Sequence, residues 1–482
     1  MVRGGPIASV AIAGGGIVGW SAAAALKRCL PQLTVTVIPL PPPPNALADR
    51  MASTLPSIVD FHDDLGLTEA DTVVRARSTF RLASRFEGWG ELDYIHAYGD
   101  CGQTIGAAAF HHHWVRAAKS GGVAAFHLHS AAAAMADSGR FVHPHAADPV
   151  AGTFGYGLHI DPPRYRELMR AYALHLGAIE RGATISNVRL RGENGFIEAV
   201  EIDGGEVAAD LFVDATGPAA LLRRHVDESR EDWSGWLGCD RIQFGDAPGD
   251  IGDKPLDRVI AMPAGWQWQN RGSSGLVYSA RHLSDSNRDE LGLSGDPVTV
   301  RQGRLAEPWV RNCVAIGDSA VAVEPLEWTN LHLAHSAIDR LVAMMPDRDC
   351  SAVELWDYNR QANAEADRVR DFLILHYVVA NRPEPFWNEA AELPESLAHT
   401  LTQFHERGRL PFYEEETFAR DSWLSVLLGQ GVIPRRFDPL VDLTPEEESA
   451  RLMAEMRQRI GAYVSTLRSH SDYLRNLSLQ AA

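Results

Sequence analysis

Cysteine is scarce in this chain. Five occur in 482 residues: Cys29, Cys101, Cys239, Cys313 and Cys350. They are scattered, odd in number and without CxxC or Cys/His spacing. That excludes a disulfide framework and a cysteine zinc site, and it points to a reducing compartment. Runs of Lys and Arg are also missing, and the net charge is −18. Neutralising phosphates takes clustered basic side chains, so nucleic acid is excluded as a partner. No apolar run is long enough to span a bilayer. The segment nearest to a signal peptide, "PIASVAIAGGGIVGWSAAAALKRC", is broken by four glycines and parses better as strand, turn and helix. The expectation is a cytoplasmic protein with no membrane contact.

What is present is ordinary for a globular enzyme. A length of 482 residues suits two or three domains or one composite unit, and 45% hydrophobic residues can bury a large core. "SVAIAGGGIVGWSAAAALKR" reads as a buried strand, a glycine turn and an Ala-rich helix, and "QLTVTVIPL" as a second strand. "PLPPPP" then stops the pattern, because consecutive prolines permit neither helix nor ladder. Residues 185–217 read as a short meander and a return strand. "WVRNCVAIGDSA" is a further apolar strand, with the helix "LHLAHSAIDRLVAMM" close behind. From about Ser351 the chain reads as mostly helical.

Gly14, Gly16 and Gly19 form GxGxxG between a strand and a helix. The first glycine allows the tight turn, the second lets a pyrophosphate approach, and the third lets helix and strand pack closely. The phosphate then meets the unpaired amides of the helix N-terminus. A carboxylate for the adenosine ribose is absent from the end of the second strand, where Pro39 stands; Asp49 is the candidate replacement. Two later stretches favour flavin over a nicotinamide. "LFVDATG" ends in Asp214 and Gly217, and "CVAIGDSA" carries Gly317 and Asp318, where many flavoprotein hydroxylases place a carboxylate on the ribityl chain of FAD. Capping of the next helix is the competing reading for Asp318.

The chain resembles the flavin-dependent tryptophan halogenases over nearly its whole length. The motifs that carry the likeness fall in family order: the glycine turn ending in Trp20, "LPSIVDFHDDLGL", "FRLASRF", "DYIHAYGD", "HHHW", "LHIDP", "GWQWQ", "NCVAIGDSAVAVEPLEWT", "PFW" and "DSWLSVLLGQGVIP". The resemblance implies an α/β fold: a GxGxxG Rossmann-like FAD-binding module, a β-sheet substrate layer and a mostly helical C-terminal substrate module. The module boundaries are expected at 1–345, discontinuous and with substrate-side insertions near 90–150 and 225–300, and at 346–482. It also implies FAD, supplied as FADH2 by a separate flavin reductase, and oxidation of halide by reduced flavin and oxygen. The oxidised halogen then travels through a tunnel to an indole-like or other aromatic substrate, free or peptide-borne. A homodimer is implied as well.

Residue by residue, the likeness assigns catalysis to Glu327 and Arg81, halide binding to Thr329 and Asn330, and substrate contact to His96, Tyr98 and Trp423. Departures stand beside these matches. Arg81 occupies the family's lysine position, and a guanidinium keeps its proton and offers no free amine. It can hydrogen-bond hypohalous acid, or it can serve as a structural ion-pair partner. "EPLEWTN" keeps Glu327 but has Trp328 and Asn330 where the family has small residues, and "WQWQNRGSSG" lacks the Ile-Pro of the family signature. The stretch "PFYEEETFARDSW" lacks the residues that hold free tryptophan in the best-known members, so free tryptophan is not the expected substrate. An aromatic hydroxylase and a non-catalytic flavin-binding homologue are the alternatives. Trp266 and Trp268, two apart, share a strand face and either shield a flavin or pack a sheet. His111, His112 and His113, read as strand residues, point to alternate faces and do not converge on a metal.

Overall fold

β1 (Ser9–Ala13), α1 (Ile17–Cys29) and β2 (Thr34–Ile38) form the expected βαβ opening. β1 is a continuous apolar run because parallel strands lie on both sides of it: Ile12 is opposite Val37 on one flank and Val213 on the other. The computed structural model describes residues 4–152, 154–182, 184–245, 252–283, 296–389 and 392–480. In it, β1 and β2 belong to a six-stranded sheet ordered Trp309–Val310, Cys313–Ala315, Leu211–Asp214, β1, β2, Ile179–Glu180. All neighbours are parallel except the first pair. Register then aligns three distant segments: Ala13 pairs with Asp214, and Asp214 with Ala315. The Gly14 turn, the Ala215–Gly217 turn and the Gly317-Asp318 pair therefore leave the same carboxyl edge of the sheet. Ligands of open α/β sheets bind at such an edge.

Two compact units divide the chain. The first contains residues 1–78, 160–235 and 298–367, and the second 79–159, 236–297 and 368–482. Most of the insertions expected near 90–150 and 225–300 thus group with the C-terminal helices. In the first unit, α1 packs against the helices Pro162–His175 and Thr329–Ala343. The antiparallel meander Ile185–Leu190, Ile197–Ile202 and Gly205–Ala208 contributes Val188, Ile197 and Val200 to a core shared with Ala11, Ile38 and Phe212.

The second unit contains antiparallel and parallel strands of one sheet in the order Arg241–Gly245, Ser274–Tyr278, Gly265–Gln269, Leu256–Met262, Ala83–Glu87, Tyr94–Ala97. A short ribbon pairs Thr79–Arg81 with Gly157–His159. The C-terminal helices are Glu395–Arg407, Arg420–Gly429, Glu446–Thr466 and His470–Gln480. The 27-residue helix Ala352–Val378 begins in the first unit and ends in the second. Among the described residues, no helix is long and apolar enough to cross a membrane.

The histidine tract differs from its reading as a strand. It lies in the helix Phe110–Lys119. Consecutive side chains there point about 100° apart, as a period of 3.6 residues requires. The rings are used for packing: His111 Nε2 bonds the Gly408 carbonyl at 2.9 Å, and His113 bonds Ser449 Oγ at 2.8 Å and the Ile105 carbonyl at 3.0 Å.

Candidate active site

The glycine turn has the shape a dinucleotide needs. Gly14 sits at φ +133°, and any side chain there would collide with the Ala215 carbonyl. A side chain at Gly19 would collide with the Gly14 carbonyl, so the third glycine is what lets α1 rest on the turn. Asp318, fully buried at the same sheet edge, accepts a hydrogen bond from the Ala48 amide at 2.8 Å, and its neighbour Gly317 packs against Val18. Burial pushes the Asp318 carboxyl up to about 8, with Asp49 adding to the shift. The turn and the donor set fit FAD. The N-terminus of α1, where a pyrophosphate would rest, is covered by the Asp49 carboxylate, which lies against Gly16 and accepts from the Val18 amide at 3.1 Å.

Asp214 lies at the same sheet edge, at the end of its strand. Its carboxylate is taken up inside the fold, accepting from Thr216 N and Oγ1, Leu222 N, Arg223 N and Ser319 Oγ. Those bonds tie the Ala215–Gly217 turn to the residues after it. Gly217 continues the turn at φ +80° and packs against Pro43 and Ala46. Its carbonyl accepts from Ser319 Oγ at 3.0 Å. Asp214 and Gly217 thus shape the edge from behind.

The "EPLEWTN" stretch folds into a short turn that feeds the helix Thr329–Ala343. The first acid, Glu324, is fixed by Gln302: its amide donates to Gln302 Oε1 at 3.0 Å, and Gln302 Nε2 returns a bond at 3.3 Å. Glu327 and Trp328 are both buried and both left-handed, at φ 60° and 62°. Each such residue costs about 1–3 kcal/mol and persists only where surrounding structure imposes it; paired outliers of this kind gather at functional sites. Thr329 and Asn330 follow at the head of the helix, both buried. Asn330 Nδ2 donates to the Val323 carbonyl at 2.9 Å. Its Oδ1, and the Oγ1 of Thr329, find no partner among the described residues. Buried orphans of this kind need a ligand, an ion or a water.

Arg81 is wholly buried in the second unit. Its guanidinium is paired with Asp257, donates to the Tyr98 hydroxyl, and reaches Ser84 Oγ at 2.6 Å. Asp257 also holds His159 at 2.9 Å. Burial opposes the charge on Arg81, but Tyr98 and Asp257 more than offset it, and its pKa stands above the ordinary value. Burial likewise opposes the Asp257 carboxylate, and Arg81 and His159 hold it below the usual range. This is the ion-pair reading of Arg81. No buried lysine stands in for it: the chain has three, Lys27, Lys119 and Lys254, and none is buried.

The expected substrate residues meet in one aromatic cluster of the second unit. The His96 ring lies edge-on to Tyr98 at 5.9 Å and to Phe372 at 5.8 Å. Phe372 stacks on Phe418 at 3.9 Å and meets Trp423 at 5.1 Å. Trp423 then lines a pocket of about 360 Å³ with Arg368, Phe412, Tyr413, Glu416 and Arg420. Arg368 lies between the Tyr413 and Trp423 rings, at 4.0 and 4.5 Å, and bonds Glu416 at 2.7 Å. Arg368, Glu416, Asp257 and His159 were missed from sequence. The available signals were the motif "LHIDP", which contains His159, and the aromatic and acidic make-up of "PFYEEETFARDSW", which contains Glu416. The Trp pair is buried in the sheet, where Trp268 faces Gly275 of the next strand and fills the space above it.

A profile of the tryptophan halogenase family matches residues 9–446. Among solved structures, BrvH, a flavin-dependent halogenase from Brevundimonas sp. BAL3, is 36% identical with a TM-score of 0.90, covering 98% of this chain and 99% of that one. Xcc4156, a flavin-dependent halogenase from Xanthomonas campestris, is 33% identical with a TM-score of 0.90, covering 98% of each. The tryptophan 6-halogenase ThaL of Streptomyces albogriseolus is 28% identical, again over 98% of each chain.

Proposed function

The chain belongs to the tryptophan halogenase family, and on that premise we propose that it halogenates an indole-like or other aromatic substrate, with Glu327 as its acid–base carboxylate. It is a flavin-dependent oxidoreductase that uses FAD, with FADH2 delivered by a separate flavin reductase. When bound, the reduced flavin would give two electrons to oxygen, bringing it to the peroxide level at which it takes two electrons from halide. The protein holds it through the Gly14–Gly19 turn, the head of α1 and Asp318. The observation that carries the reading is the strained, buried Glu327 beside the orphaned Thr329 hydroxyl. Attack of the ring on hypohalous acid would form the carbon–halogen bond as the halogen–oxygen bond breaks and hydroxide leaves; the carbon–hydrogen bond then breaks and Glu327 takes the proton.

Arg81 in this reading is a positioning residue for Tyr98 rather than a carrier of halogen, since it is spent on Asp257, Tyr98 and Ser84. The pocket around Trp423 suits a planar aromatic ring. Its wall is open enough at Phe412, 90% exposed, to admit a tethered or peptide-borne group. A cytoplasmic homodimer completes the proposal.

The test supplies FAD, a flavin reductase with its nicotinamide, oxygen, bromide and a panel of indoles, phenols and tryptophan-containing peptides. Products are read by mass. A brominated product is expected, and Glu327→Gln should lower its formation by about a hundredfold or more while leaving the fold intact. Asn330 favours a second reading. Its unpartnered Oδ1 is an acceptor, which repels halide. Hydroxylated products indifferent to bromide would establish that alternative and sink the first.

A further inference from the structure

Asp49 stands where the cofactor's pyrophosphate belongs. It is the third residue of "LADR", ends the short helical turn Leu47–Asp49, and is buried. Its carboxylate lies so close to Gly16 that a single added methyl there would strike all three carboxylate atoms. Gly16 is the second glycine of the fingerprint, the one whose bareness lets a pyrophosphate approach the backbone. Asp49 Oδ1 accepts from the Val18 amide at 3.1 Å, one of the unpaired donors at the head of α1. The same turn reaches the second cofactor contact, because the Ala48 amide donates to Asp318 at 2.8 Å. One three-residue turn thus engages both groups assigned to the flavin.

We infer that Asp49 is an internal competitor for the flavin pyrophosphate: its carboxylate occupies the anion seat of the glycine turn, and FAD binds by displacing it. The inference rests on the flavin reading above. Asp49 is poorly kept where it is. Burial pushes its carboxyl up to about 6, against its amide bonds and a distant pull from Arg166, and Asp318 adds a second buried acid nearby. An incoming pyrophosphate brings more oxygens to the same amides and lets Asp49 return to water. The alternative assignment, Asp49 as the ribose ligand, makes the opposite forecast about its removal.

The test is equilibrium binding to the full-length protein of FAD, ADP and riboflavin, by flavin and tryptophan fluorescence and by calorimetry for ADP. Wild type is compared with Asp49→Asn and Asp49→Gly. Both variants should bind FAD and ADP about tenfold more tightly, while riboflavin, which has no phosphate, binds all three proteins alike. Thermal melts confirm that each variant folds. The asparagine variant keeps the side-chain volume should the glycine variant fail to fold. FAD affinity that is unchanged or weaker in a folded variant overturns the inference and leaves the flavin reading standing. Absence of FAD binding in every protein overturns both.

Discussion

Arg81 carried two readings in the sequence, catalytic residue and structural ion-pair partner, because its partner is unseen there. Its place in "FRLASRF" matched a catalytic position, but Asp257, 176 residues away, decides its role, and no local pattern announces that pairing. The partners of Asp214 were hidden for the same reason: its five donors are assembled only when the turn closes. Removing one partner of a buried ion pair leaves a charge stranded. Asp257→Asn should therefore destabilise the protein by about 3–5 kcal/mol in urea unfolding. Arg81→Lys should not raise bromination, since the ammonium stays against Asp257; a measured gain would show that Arg81 handles halogen after all. Asp318 gives a pH signature. Its folded pKa of about 8 lies above the unfolded value of about 3.9, so its stabilising contribution is complete below about pH 4, falls as pH rises from there and is gone above about 8. Buried histidines such as His62, lowered to about 4, contribute only below about pH 6.5 and are silent above it. Without flavin, stability should fall from about pH 6.5 to 8 and level off above, and Asp318→Asn should flatten that fall.

At the scale of elements, periodicity and turn chemistry carried most of the reading. β1, α1 and β2 were legible because a buried parallel strand is continuously apolar and GxGxxG has few other uses. The histidine helix was not legible, because three identical residues carry no period of their own. The turn Leu326–Trp328 was legible as a motif but not as a conformation. Nothing in "EPLEWTN" announces two left-handed residues in a row where glycine is absent. The strain makes a forecast. Glu327→Gly should relieve about 1 kcal/mol of backbone strain and raise the melting temperature while turnover is lost. A variant that is both active and more stable would mean that Glu327 is held there for packing alone.

At the scale of the whole molecule, the chain passes between its two units at 78/79, 159/160, 235/236, 297/298 and 367/368. The sequence suggested a discontinuous first module, because the strands that build its sheet are far apart. It did not reveal that the 79–159 and 236–297 segments complete a unit with the C-terminal helices. That grouping depends on pairings such as Leu256 with Ala83, which no local signal encodes. A fragment ending at residue 345 lacks residues 368–482 and leaves the core of the second unit open. It should be recovered insoluble or molten, as read by circular dichroism and exposed-surface dye binding, whereas the full chain unfolds cooperatively.

The paucity of lysine has a practical consequence. Lys27 is tied to the Pro31 and Leu33 carbonyls, at 2.8 and 2.9 Å, which leaves Lys119 and Lys254 as the exposed side-chain amines. Both lie in the second unit. Coupling through lysine side chains would therefore anchor the protein mainly by that unit, with the α-amine of Met1 as the competing point of attachment in the first.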